Sequence, residues 1–168
     1  MTTTNLILKT DSYKLSQHRM YPKGTEKIYS YFEARTGATF DKTVFFGLQK
    51  IVMAHLTNFV LDEHYIADAK EICDAHMGPG VFNEEGWRKI LKEFGGRFPI
   101  RIWAQPEGSV HDASTVLMIV ENSGGEDFAW VTDYIETLLV QLWYPCTVAS
   151  KSRAIKEIIA EYMVLTTG

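Results

Sequence analysis

Apolar and polar positions divide the chain into stretches of two distinct periods. Lys27 to Glu33 alternates, with Ile28, Ser30 and Phe32 on one face and Tyr29, Tyr31 and Glu33 on the other, which predicts an aromatic-rich β-strand. Ile100, Ile102 and Ala104 alternate with Arg101, Trp103 and Gln105 before Pro106-Glu107-Gly108 bends the chain. Thr115 to Val120 is a near-continuous apolar run, the pattern of a strand covered on both faces. A short extended piece is expected at Leu6 to Leu8. Elsewhere the apolar residues fall at helical spacing. They are Phe45, Leu48, Val52, His55 or Leu56, and Phe59 after Asp41; Ile66, Ala69, Cys73 and Met77; and Trp87, Ile90, Leu91 and Phe94. Phe128, Val131, Ile135, Leu138 and Leu142 predict a further helix, and Ile155, Ile159 and Tyr162 a last one from about Ser150.

Local chemistry marks where these elements begin and end. Asp62 reads as a helix N-cap, with Leu61 and Ile66 as a hydrophobic staple, and Gly78-Pro79-Gly80 stops that helix. Asn83 caps the next, and Gly95-Gly96 closes it. Pro22 and Gly24 end any helix before them, and Asn122-Ser123-Gly124-Gly125 is a strong loop signal. Pro145 is expected to break the helix that begins near Phe128, and Gly168 stands where a helix C-cap would. Strands and helices mix without regular βαβ alternation. The expected class is α+β, a mixed sheet with flanking helices in one domain over residues 1–168.

Composition narrows the partners. With 168 residues, 46% hydrophobic and 12% aromatic, the chain can bury roughly 70% of its unfolded surface. The net charge is −4 and no basic run occurs, which disfavours a nucleic-acid partner. A small phosphate-bearing ligand needs only a few placed donors and is compatible with this balance. The two cysteines, Cys73 and Cys146, lie in apolar surroundings and read as small hydrophobes rather than a disulfide. Met1 to Asn5 has no basic region or apolar run, and no stretch reaches membrane-spanning length, so a cytoplasmic protein without a membrane partner is expected.

Few residues stand out as chemistry. Asp11, in Thr10-Asp11-Ser12-Tyr13-Lys14, reads either as a helix N-cap or as part of a binding corner. Tyr13 is either a half-buried core aromatic or a ring that stacks on a flat heteroaromatic ligand. Arg35 ends the strand of Tyr29-Ser30-Tyr31-Phe32-Glu33-Ala34-Arg35 and is either a solvated charge or a planar fork for phosphate oxygens. Lys151 and Arg153, at the expected start of the last helix, would oppose its dipole, which marks a wet surface or an anion site. Glu84 and Glu85 favour the dipole of a first turn and read as structural. The five histidines form no metal-ligand pattern, and no catalytic acid–base pair, Walker loop or nucleophile elbow is visible.

The three strings Thr10–Lys14, Tyr29–Arg35 and Trp143-Tyr144-Pro145-Cys146-Thr147-Val148-Ala149, in this order, resemble the opening of the nicotinamide phosphoribosyltransferase family. The resemblance implies the N-terminal domain of a type II phosphoribosyltransferase, which joins nicotinamide to 5-phosphoribosyl-1-pyrophosphate and releases pyrophosphate. It implies that Tyr13 stacks on the nicotinamide ring in the site of a neighbouring subunit, that Asp11 orders the same corner, and that Arg35 lies near the donor phosphates. It implies Mg2+ bound with the diphosphate, and a homodimer with shared active sites. The family's barrel half, with its catalytic residues, is expected beyond Gly168, so these 168 residues are not expected to turn over alone. The alternatives are a dimerising or split-enzyme module completed by a separate chain carrying the barrel half, and a nicotinate-specific relative. The Ser12-Tyr13-Lys14 form favours the amide enzyme.

Overall fold

Antiparallel pairing organises the centre of the fold. In the computed structural model, which describes residues 5–167, β5 (Val116–Asn122) lies between β1 (Tyr29–Glu33) and β3 (Ile100–Ala104). Ser30 faces Val120 and Ile102 across the sheet, and Phe32 faces Met118 and Ala104. These positions form the inner face that the alternation predicts. The apolar run of β5 follows from its central place, since Leu117, Met118, Val120, Glu121 and Asn122 are all buried. A second, two-stranded sheet pairs β2 (Lys42–Val44) with β4 (Val110–Asp112). The α+β reading therefore stands, but among the described residues the expected mixed sheet is replaced by two small sheets whose pairings are all antiparallel.

The helices pack on this frame. Two of them begin and end where their caps predict. The Asp62 side chain accepts from Tyr65 N–H to open α3 (Glu63–Met77), and Gly78 closes it. Asn83 accepts from Gly86 N–H to open α4 (Glu84–Phe94), and Gly95 ends it in the left-handed conformation. Ile66, Ala69 and Cys73 of α3 and Trp87 and Ile90 of α4 face the core. Trp87 lies at its centre, with edge-on contacts to Trp130 and Tyr134 at 4.9 Å and to Phe98 at 5.8 Å. Both cysteines are free and buried.

Five local expectations differ from the fold. Leu6–Leu8 is a turn of 3-10 helix rather than a strand, because the Asn5 side chain accepts from Ile7 N–H and caps it. The helical face drawn after Asp41 begins late. Lys42–Val44 pairs with β4 as a strand, and α2 (Leu48–Val52) starts only after Gly47, continuing as a π-helical turn over Met53–Thr57. The helix near Phe128 is divided into α5 (Val131–Tyr134) and α6 (Glu136–Val140). Pro145 does not end it. It sits in the first turn of α7 (Trp143–Thr167), where proline's missing N–H has no intrahelical partner to lose. Lys151 and Arg153 consequently lie inside a long helix, not at its start, and Arg153 pairs with Glu157 one turn on. The readings of Met1–Thr4 and of Gly168 lie outside the described residues.

Gly47 fixes how α7 approaches. Its φ of 108° suits glycine, and a Cβ there would lie 2.6 Å from the Pro145 ring. The Ser150 hydroxyl then accepts from Val44 N–H at 2.8 Å, tying α7 to β2. Among the described residues no helix is long and apolar enough to cross a membrane.

Candidate functional site: a cleft and a pinned tyrosine

The cleft is built where the segment after β1 leaves the sheet. Residues 34–41 run away from β1 as a loop, with Gly37 at φ 84°, and return as β2. The wall opposite consists of α5, α6 and the first turns of α7. Between them is a cleft of about 1150 Å³ lined by Ser30, Glu33, Arg35, Asp41, Lys42, Thr132, Glu136, Thr147 and Ser150, with Leu139, Val140 and Trp143 as apolar floor. A volume on that scale accommodates a small organic molecule with its phosphates.

Arg35 is an exposed cation of this cleft. Among the described residues no carboxylate pairs with its guanidinium and no hydrogen bond holds it, so its donors are free for a ligand. Lys42, on the same wall, differs. Its ammonium donates to Asp112 at 2.6 Å, and that bond with the Asp112 charge holds the lysine above its ordinary pKa and Asp112 below its own.

Asp11 and Tyr13 form a separate corner, on the N-terminal segment where it crosses α5 and α6. The Thr10 hydroxyl donates to the Tyr134 carbonyl at 3.0 Å. Asp11 is no N-cap, because the residue before α1 (Lys14–Gln17) is Tyr13 and no side chain caps that helix. Asp11 instead makes two bonds with Thr137. Its N–H donates to the threonine hydroxyl at 3.2 Å, and its carboxylate accepts from that hydroxyl at 2.8 Å. The Ser12 hydroxyl shares a hydrogen bond with the His76 ring at 2.8 Å. Amid these attachments the Tyr13 ring is left 58% exposed, so it is not a core aromatic.

Lys14 and Glu136 are the residues that sequence reasoning missed. Lys14 is 2% exposed and donates to Glu136 at 2.5 Å. Burial pulls its pKa down, but the bond and charge of Glu136, with a smaller contribution from Tyr13, outweigh it and the net shift is upward. Glu136 in turn lines the cleft that contains Arg35. The fold thus brings Asp11 and Tyr13 together and sets Arg35 apart, with Glu136 bordering both regions. A lysine directly after the tyrosine was the available signal, but its burial depends on a partner 122 residues away.

Comparison with known proteins identifies the family. The family model described as the nicotinamide phosphoribosyltransferase N-terminal domain matches residues 5–102. A nicotinamide phosphoribosyltransferase of Xanthomonas campestris pv. campestris is 45% identical over 163 residues, covering 97% of this chain and 34% of that protein. One of Acinetobacter baylyi is 32% identical over 177 residues, with 96% and 34% covered. The chain spans about a third of the length of these curated relatives. Since the match takes in more than half of the chain, including both the pinned tyrosine segment and Arg35, the chain belongs to the nicotinamide phosphoribosyltransferase family through its N-terminal domain.

Proposed function

We propose that this chain is the N-terminal part of a type II phosphoribosyltransferase that transfers phosphoribosyl from 5-phosphoribosyl-1-pyrophosphate to nicotinamide. The product is nicotinamide mononucleotide, an intermediate in NAD salvage. The single observation that carries this reading is Arg35, a guanidinium without a protein partner among the described residues, in a cleft of about 1150 Å³. A planar fork of donors there suits the diphosphate. Tyr13 supplies an exposed ring for stacking on nicotinamide, and Asp11 fixes the same corner through Thr137. The two functions lie in different regions of the chain, which fits a homodimer in which Tyr13 serves the partner's site.

Displacement at the ribose carbon passes through a cationic, oxocarbenium-like state. What such a step asks of this domain is orientation of the ring nitrogen and stabilisation of the departing charge. Arg35 answers the second need and Tyr13 the first. Among the described residues no group of three or more His, Cys, Asp or Glu side chains is gathered to hold a metal. In this reading Mg2+ arrives with the diphosphate.

The test is steady-state kinetics on a full-length protein that carries this segment, expressed in the cytoplasm as a homodimer. Arg35→Ala should raise the KM for 5-phosphoribosyl-1-pyrophosphate on the order of tenfold or more. Tyr13→Ala should act mainly on nicotinamide. Unchanged kinetics in both variants would make the two residues structural, and preference for nicotinate over nicotinamide would move the protein to the acid-specific branch. The 168 residues assayed alone should form no nicotinamide mononucleotide.

A further inference from the structure

The Tyr13 side chain is exposed, yet its surroundings are not loose. Residues 10, 11 and 14 are each bonded to the chain from Tyr134 to Thr137, so the segment is fastened on both sides of the tyrosine. The least expected of these attachments is the one between Lys14 and Glu136. An ammonium taken out of water is costly unless paired, and Lys14 is buried with Glu136 as its carboxylate partner. The Glu136 side chain is 57% exposed, so water screens the pair and it contributes little net stability; packing alone does not account for a lysine here.

The position of the ammonium suggests what the lysine does. Its Nζ is 5.0 Å from the centroid of the Tyr13 ring, over the ring, while it donates to Glu136. Glu136, Lys14 and the phenol ring therefore form a chain of contacts from α6 outward. A cation held over an aromatic face is attracted by the ring quadrupole and restricts the ring's rotation. With one face covered by the ammonium, a flat ligand has the other face available.

We propose that Lys14, held by Glu136, is a positioning residue that fixes the Tyr13 ring, covering one face so that the heteroaromatic acceptor stacks on the other. This deepens the reading of Tyr13 given above and rests on it. A ring fixed before binding loses less freedom when the ligand arrives, so the effect belongs to acceptor affinity rather than to the donor phosphates.

The experiment is a double-mutant cycle in the full-length protein, with KM and kcat measured for nicotinamide and 5-phosphoribosyl-1-pyrophosphate separately. Lys14→Met should raise the nicotinamide KM about tenfold, leave the donor KM unchanged, and add nothing in a Tyr13→Ala background. If Lys14→Met lowers thermal stability and kcat but not acceptor affinity, or if its effect adds fully to that of Tyr13→Ala, the lysine is structural and the inference is overturned. Tyr13→Ala alone separates the two levels. An unchanged nicotinamide KM in that variant removes the Tyr13 reading itself, whereas a raised KM with no response to Lys14→Met removes only the positioning role. Should Lys14→Met fail to fold, Glu136→Gln tests the same link from a side chain that is 57% exposed. It should raise the nicotinamide KM in the same direction, and no change there counts equally against the proposal.

Discussion

Tyr21, Tyr134, Cys73, Cys146 and Lys14 all hold their protons more tightly in the folded chain than in the unfolded one. Burial is the main cause for both phenols and both thiols, and Tyr21 is raised further by its 2.5 Å bond to Asp133. As pH rises past 9.0 the unfolded thiols lose protons first, followed by phenols at 10.0 and Lys14 at 10.5. The unfolded state then binds fewer protons than the folded state, so stability must fall with rising pH. Urea midpoints measured from about pH 8 to about pH 11 should be flat at first and decline above about pH 9. Tyr21→Phe should make the decline shallower, and a midpoint that holds across the range would contradict the shifts. None of this was legible residue by residue. The sequence marks Asn122 as the start of a loop, whereas the fold buries it. Its side chain accepts from Ile28 N–H at 2.9 Å and donates to the Glu26 carbonyl at 2.9 Å.

At the scale of elements, the helices with strong caps are the most legible. Asp62 and Asn83 bond to N–H groups three residues ahead, an interaction wholly contained in the local sequence. The Gly95-Gly96 pair, read simply as a helix stop, has two different jobs. Gly95 supplies a left-handed cap in open space. Gly96 has φ 79°, accepts from Leu61 N–H at 2.8 Å, and comes so close that a Cβ would lie 2.2 Å from the Leu61 carbonyl oxygen. Gly95→Ala should therefore cost about 1–2 kcal/mol. Gly96→Ala, with both backbone strain and a clash, should cost roughly 2–4 kcal/mol. Equal urea midpoints for the two variants would refute the distinction. The strand at Lys42–Val44 was not legible because its partner, β4, is a short run without alternating apolar residues.

Across the whole molecule, the second half of α7 stands apart. Ile155, Ile158, Ile159, Tyr162, Met163, Val164 and Leu165 are all exposed, with Val164 at 74% and Leu165 at 71%. An apolar surface of this extent on a chain of net charge −4 should drive association. Light scattering on the 168 residues should show mass rising with concentration, and Ile158→Lys combined with Leu165→Lys should reduce it. A parent chain that stays monomeric across the series would count against an adhesive α7.

What the amino-acid sequence determined by itself is the local grammar and the family. Alternation placed β1 and β3, a continuous apolar run placed most of β5, caps placed α3 and α4, and the strings around Tyr13 and Arg35 carried the resemblance that the matched domain bears out. These are properties of neighbours a few residues apart, which periodicity and capping chemistry report directly. The tertiary structure alone decided the contacts between distant segments. It paired β2 with β4, carried α7 through Pro145 against Gly47, and buried the Lys14 ammonium against Glu136. Each of these joins residues far apart in the chain, and the energy of such a contact depends on the burial and charge that only the packed molecule provides.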